Sequence, residues 1–230
     1  MAAYKKILEA YPDSDKVAAA RYGMAWSQMS ARDYEAAAKS FEDFIRFHPG
    51  HPFGDSAYFG EIKSLVALGR EGEAYRTFEW MKGAYPKSQL LDDALIQIAW
   101  NRFAKREYGD AEALASRLLE EYPGSDFAPV ASFALGEIYY RKGEYSKAMV
   151  FYGSAEATRR YLSVALDAGL RKGEASFALK DYAAAADQFR ALLGRVSNSE
   201  KHDEVSFWLG ESLYYLASSD PGYYTIAARA

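Results

Sequence analysis

Cysteine is absent from the 230 residues, which excludes disulfides, thiol nucleophiles and cysteine-ligated zinc. No apolar run approaches the roughly 18 residues a membrane-spanning helix needs, so direct membrane insertion is not expected. The first sixteen residues, MAAYKKILEAYPDSDK, hold no apolar central stretch of the kind a secretory signal has. Basic charge is in short supply: the formal net charge is −4 and the pI about 5.5, without the basic footprint of a nucleic-acid binder. Histidine occurs three times and proline seven times. What is abundant is core material. Half the residues are hydrophobic, with 19 Tyr and 13 Phe. The length lies between one typical domain and two.

Four of the seven prolines are regularly placed. Pro12, Pro49, Pro86 and Pro123 are each separated by 37 residues. They sit in related tetrapeptides, Tyr11-Pro12-Asp13-Ser14, Tyr85-Pro86-Lys87-Ser88 and Tyr122-Pro123-Gly124-Ser125, with His48-Pro49-Gly50-His51 as a looser copy. Other columns share the period: Tyr34, Tyr108, Tyr145 and Tyr182, with Glu71 and Ser219 in the remaining phases. Three residues on come Ala37, Ala74, Ala111, Ala148, Ala185 and Gly222. Four further on come Phe41, Phe78, Ala115, Tyr152, Phe189 and Ile226, and Tyr4 holds the phase before. A fixed period of this length is the mark of a solenoid.

Each unit divides into two helices. In the first, apolar residues recur at i, i+3 and i+7: Tyr22/Ala25/Met29, Phe59/Ile62/Val66, Ile96/Ala99/Phe103, Phe133/Gly136/Tyr140, Leu170/Gly173/Phe177 and Phe207/Gly210/Tyr214. A short polar break follows, for example Arg141-Lys142-Gly143-Glu144, and then a second helix striped by Tyr145, Ala148, Tyr152 and Ala155. The alanine column lets two helices approach closely; enlarging Ala148 costs about 1–3 kcal/mol through overpacking. The aromatic column fills the space beside it, so truncating a fully buried Tyr152 to Ala costs about 3 kcal/mol. Proline disfavours helical conformation in the residue before it, so each Tyr-Pro ends a second helix. The Ser two residues later, or the Asp that follows it in two copies, is expected to cap the next helix.

The stretch LGEIYYRKGEYSKAMVFYGSA, through Leu135-Gly136, Tyr139, Gly143, Tyr145, Ala148, Tyr152 and Ala155, resembles the tetratricopeptide repeat, and the resemblance extends over the whole chain. It implies an all-α fold, a right-handed α-solenoid of helix-turn-helix repeats, here with a 37-residue period rather than the family's usual length of about 34. The unit boundaries fall near 1–14 (partial), 15–51, 52–88, 89–125, 126–162, 163–199 and 200–230 (partial), within one superhelical domain. Arg160 and Ser197 replace the proline in the later units, where a different connection is expected. The Tyr-Pro-x-Ser punctuation and the Leu-Gly-Glu-x-x-Tyr helix are similar in style to repeats of bacterial outer-membrane-assembly lipoproteins and of the Tol-Pal coordinating protein. That likeness implies a periplasmic or envelope-associated protein. Because the chain begins and ends within a unit, it is expected to be part of a longer protein.

Catalytic signals are scarce. His48 and His51 stand at i, i+3 in a loop with no third ligand nearby, and His202 is isolated. GREGEA at 69–74 lacks the Gly-Lys-Ser/Thr ending and the preceding strand of a phosphate loop. Neighbouring acids such as Glu120-Glu121 and Asp92-Asp93 do not face each other on a helix. No enzyme activity, cofactor or metal is expected. A binding surface is more legible, because solenoids present equivalent positions of successive first helices on one concave face. One such column runs Trp26, Lys63, Trp100, Glu137, Glu174 and Glu211, beside the first aromatics Tyr22 and Phe59. Tryptophan is a frequent hot-spot residue, and a ladder of Glu would favour a basic segment.

The sequence therefore predicts a non-enzymatic scaffold that binds a protein or peptide segment in this groove, within a bacterial envelope complex. The alternative is the accessory superhelical region of a soluble lytic transglycosylase or another peptidoglycan-processing protein, with peptidoglycan association. It rests on a likeness of the tail GYYTIAARA, 222–230, to stretches of such regions; Glu211-Ser212, inside a first helix, is read as coincidence. End-to-end self-association through the apolar faces left at the two ends is a third expectation.

Overall fold

A computed structural model of the chain describes residues 2–14, 16–196 and 201–219. Among these residues there are twelve helices and no strand. The chain divides into two compact units, Met1–Leu114 and Ala115–Ala230. In the first, α1 (Ala2–Ala10) precedes two helix pairs, α2 (Val17–Ser30) with α3 (Tyr34–Phe47) and α4 (Gly54–Ala67) with α5 (Glu71–Ala84). Then come α6 (Leu91–Ala104) and the beginning of α7 (Tyr108–Glu121). The second unit holds the remainder of α7, the pairs α8 (Ala128–Arg141) with α9 (Tyr145–Glu156) and α10 (Leu162–Ala178) with α11 (Tyr182–Val196), and α12 (His202–Ser219). Consecutive helices pack together from α1 to α6 in the first unit and from α8 to α12 in the second, and first helices also touch the next first helix: α2 with α4, α4 with α6, α8 with α10, α10 with α12. This is the tetratricopeptide-type arrangement.

First helices start at residues 17, 54, 91 and 128, and second helices at 34, 71, 108, 145 and 182, each series in steps of 37. The turn inside each pair is set by the backbone. Arg32, Gly69, Arg106, Gly143 and Lys180 lie at the same phase, and all have positive φ, between 60° and 77°. At each, this residue's N–H bonds the carbonyl three residues back, and the next N–H bonds the carbonyl five back, as in Arg32 to Met29 with Asp33 to Gln28. Those two bonds define the Schellman ending of a helix, which satisfies otherwise orphaned carbonyls and favours glycine at its left-handed position. Three of the five turns carry a long basic side chain there instead. Asp33 and Asp181 then cap α3 and α11, accepting from the N–H groups of Ala36 and Ala184.

The connection between pairs is also a repeated device. α3, α5 and α7 end at Phe47, Ala84 and Glu121, one residue before the His or Tyr that precedes proline. The serine acts differently from the expected helix cap. No side chain caps α2, α6 or α8, whose N-cap residues are Lys16, Leu90 and Phe127. Instead Ser14, Ser88 and Ser125 accept, through Oγ, the N–H of those same residues at 3.0–3.2 Å. The hydroxyl lies two residues before its donor, which is the geometry of a local serine turn, and it ties down the loop ahead of the helix rather than the first helical turn. Ser88 also donates to Asp55 Oδ2 at 2.8 Å, linking its loop to the preceding pair.

The core follows the two predicted columns. Ala37, Ala74, Ala111, Ala148 and Ala185 are fully buried, as are Phe41, Phe78, Ala115, Tyr152 and Phe189. The aromatic rings sit against glycine. A Cβ at Gly60 would lie 2.4 Å from Phe41, at Gly136 2.5 Å from Tyr152, and at Gly173 2.5 Å from Phe189. The first-helix stripe is buried or half-buried through the pair α10 and α11. It departs at α12, where Phe207 and Tyr214 are 60% and 61% exposed; the residues that continue the repeat register, 220–230, lie outside the described part of the chain. Where proline is lost the connection changes as expected. α9 stops at Glu156 and α10 starts at Leu162, three residues ahead of the 37-residue register. The loop after α11, at Ser197, lies outside the described residues.

Candidate functional site

The predicted column falls on first helices throughout, and its members have different surroundings. In the first unit, Tyr22 on α2 joins an aromatic cluster, with ring centroids 4.9 Å from Phe53 and 5.6 Å from Phe44. Its hydroxyl shares a 2.7 Å hydrogen bond with Ser56 on α4. It therefore joins neighbouring repeats. Trp26 packs edge-on against Phe41 at 5.1 Å and is half-buried. Its indole Nε1 is shielded from solvent and has no hydrogen-bond partner among the described residues. The ring borders an open depression with Tyr4, Tyr22, Gly23, Ser27 and Ser30. Phe59 on α4 is buried, with the Lys63 ammonium 5.4 Å from its ring centroid. Trp100 on α6 is 41% exposed and stacks obliquely on Phe103 at 5.4 Å.

In the second unit the expected negative ladder is largely neutralised from within. Glu137 and Glu174 are buried. Glu137 accepts from the Tyr152 hydroxyl at 2.7 Å and lies 3.2 Å from Arg171 Nε, while Arg171 Nη1 bonds Glu174 at 2.7 Å. A single guanidinium thus serves two carboxylates. Burial pushes the Glu174 carboxyl up despite that bond, and burial beside Glu174 pushes the Tyr140 phenol up. Glu211 on α12 is half-buried, and its neighbour Ser212 is buried and donates to the Trp208 carbonyl at 2.7 Å. Of the three acids, Glu137 and Glu174 have their charge committed to internal partners, because an unpaired buried carboxylate would be costly.

His48 and His51 sit 6.3 Å apart, centroid to centroid, each about 5 Å from Phe44. Burial lowers the His48 pKa, with Arg21 and His51 adding to the effect. Among the described residues no group of three or more His, Asp or Glu could hold a metal ion. No helix among them is long and apolar enough to cross a membrane. One feature escaped the sequence reading. Glu61 on α4 is 91% buried and accepts one hydrogen bond, from Thr77 Oγ1 at 3.2 Å. Desolvation pushes its pKa up to about 7, with Thr77 opposing and Glu42 and Glu73 reinforcing the rise. The available signal was its column, where Met24, Ile98, Leu135 and Leu209 stand in other repeats and Lys172 is the other charged member.

Comparison with known proteins agrees with this architecture. A family described as outer membrane lipoprotein, YfiO, matches residues 1–71, and a tetratricopeptide repeat family matches residues 96–156. The outer membrane protein assembly factor BamD of Xylella fastidiosa (strain Temecula1) is 27% identical over 172 residues, covering 61% of this chain and 59% of that protein. The chain thus matches about three-fifths of that relative's length. Among solved structures, MamA superimposes with a TM-score of 0.62 at 15% identity, covering 83% of this chain and 96% of MamA. YrrB, described as a TPR protein with an unusual peptide-binding site, superimposes with a TM-score of 0.58 at 15% identity, covering 85% and 93%. The chain is accordingly an all-α protein of tetratricopeptide-type repeats that resembles the bacterial outer-membrane assembly lipoproteins.

Proposed function

We propose that the chain is a protein-interaction scaffold of the bacterial cell envelope, acting on its periplasmic side. It holds a protein or peptide segment along the first-helix face formed by α2, α4 and α6. The observation that carries this reading is Trp26. A half-buried indole with an unsatisfied, solvent-shielded N–H borders an open depression, and a buried donor without an acceptor is costly unless a ligand supplies one. Trp100 occupies the same column two repeats on and is exposed enough to be covered by a partner. Lys63 lies between them in the series. Similarity to an outer membrane protein assembly factor and to a peptide-binding repeat protein supports the class of partner and the compartment.

The test is affinity capture from a bacterial envelope extract. Baits are the parent chain, Trp26→Phe, which keeps an aromatic ring and removes the N–H, Trp100→Ala, and Val150→Ser as a surface control. A specific protein retained by the parent and the control and lost from both tryptophan variants, at unchanged helicity, is the expected result. Equal retention by all four would make these tryptophans structural. Retention of peptidoglycan fragments alone would favour the accessory region of a peptidoglycan-processing protein.

A further inference from the structure

A cleft of about 410 Å³ opens between α3 and α5, over α4. Its apolar lining comes from Ala38, Ile45, Tyr58, Leu65 and Trp80, and Trp80 is 61% exposed. Glu61 lies among them, buried. The other charged groups of the cleft are largely matched to one another. Arg70 grips Glu73 through two bonds of 2.6 and 2.7 Å and reaches Glu35 at 3.0 Å. Lys39 bonds Glu42 at 3.1 Å, and Arg46 bonds Asp43 at 2.7 Å. Arg76 also lines the cleft, without an ion pair to Glu61. The contrast with the second unit is direct. There Glu137, equally buried, receives both a tyrosine hydroxyl and a guanidinium. Glu61 receives only a hydroxyl, so its site is that of a buried carboxylate still lacking its cation.

We propose that this cleft seats a lysine side chain of a partner protein, with the ammonium on Glu61 and the aliphatic stem between the apolar walls. The Thr77 hydroxyl occupies Oε1, which leaves Oε2 for a point donor; a guanidinium binds best when both oxygens are free. A four-carbon stem buries well against Ile45 and Leu65, and Trp80 at an exposed position adds a cation–π contact. The cleft combines α3 and α5 with Tyr58, Glu61 and Leu65 of α4, and its lining includes none of Trp26, Lys63 or Trp100, so either reading can fail without the other.

The experiment is an NMR titration of the chain with Nα-acetyl-lysine methylamide, with its Nε-acetylated form as the uncharged control. The expected result is a saturable shift centred on Glu61, Thr77 and Trp80, absent with the control. Glu61→Gln should weaken binding about tenfold or more, a charge-assisted hydrogen bond being worth about 1.5–3 kcal/mol. Trp80→Ala should weaken it about threefold, and Trp100→Ala should leave it unchanged. Affinity should fall by about tenfold from pH 8 to pH 5.5 as Glu61 takes up its proton. If Glu61→Gln loses helicity, Trp80→Ala decides. No saturable shift, equal binding of the acetylated form, or undiminished binding by the folded variants would overturn the proposal. Tighter binding of 1,5-diaminopentane than of the lysine probe would also overturn it, in favour of a free diamine.

Discussion

Replacing Gly136 with alanine should destabilise the protein, although alanine is the better helix former. A Cβ at Gly136 would stand 2.5 and 2.6 Å from two ring carbons of Tyr152. The ring has little room to retreat: Tyr152 is fully buried, its hydroxyl is held by Glu137 at 2.7 Å, and Phe133 lies 6.0 Å away on its flank. Overpacking of this kind costs about 1–3 kcal/mol, and the higher helix propensity of alanine returns about 1 kcal/mol. The net loss expected is up to about 2 kcal/mol. Gly153, in the neighbouring helix α9, has nothing within 4 Å of the added Cβ; there the same change should stabilise by up to about 1 kcal/mol. Urea unfolding followed by circular dichroism reads both. In a Tyr152→Ala background, itself costing about 3 kcal/mol or more, Gly136→Ala should reverse sign and become mildly stabilising. If Gly136→Ala stabilises the parent chain as Gly153→Ala does, close helix approach is not why glycine stands at 136.

Three further outcomes follow from the turns and the buried acids. Arg32, Arg106 and Lys180 hold the left-handed position of their turns. Glycine at each should gain up to about 1 kcal/mol, while Gly69→Ala and Gly143→Ala should lose about as much, read by the same unfolding curves. Glu61→Gln should stabilise the chain at pH 8 by up to about 3 kcal/mol and leave it unchanged at pH 4. The sign follows from the raised pKa: native Glu61 keeps a proton that the unfolded chain releases, so its stabilising contribution is complete below the unfolded value near 4.5 and is lost as pH rises to about 7. Arg171→Met should cost about 2 kcal/mol, a value discounted because the side chain is 42% exposed. Removing the Tyr152 hydroxyl in that background should add a further loss, since Glu137 would then have neither partner.

Much of the fold was legible because it is written in columns. The Tyr-Pro punctuation, the buried alanines and the aromatic column each recur at one phase, and repetition separates them from local noise. The Schellman turns recur as regularly in space but not in letters. Gly69 and Gly143 mark them, whereas Arg32, Arg106 and Lys180 conceal them, because helix pairing imposes a conformation their side chains do not favour. In the sequence the serines look like caps, because a cap and a serine turn differ only by where the helix begins. At the site, the tryptophan column was visible but the fate of the glutamate ladder was not. Arg171 pairs with Glu174 within α10 but reaches Glu137 across to α8, and a contact across helices leaves no mark in either helix's own periodicity. Glu61 was missed for the opposite reason: its signal is a charge in a mainly apolar column that also holds Lys172, and only the burial of α4 gives that charge a meaning.

The claim that the first-helix face of α2, α4 and α6 is the binding surface is tested most directly by site-specific photo-crosslinking in bacterial cells. A benzophenone side chain is placed at Lys63 or Trp100, and at the exposed second-helix residue Val150 for comparison. The expected result is a discrete adduct with the same protein from positions 63 and 100 and none from 150. Adducts from 150 alone, or the same products from all three positions, would contradict it.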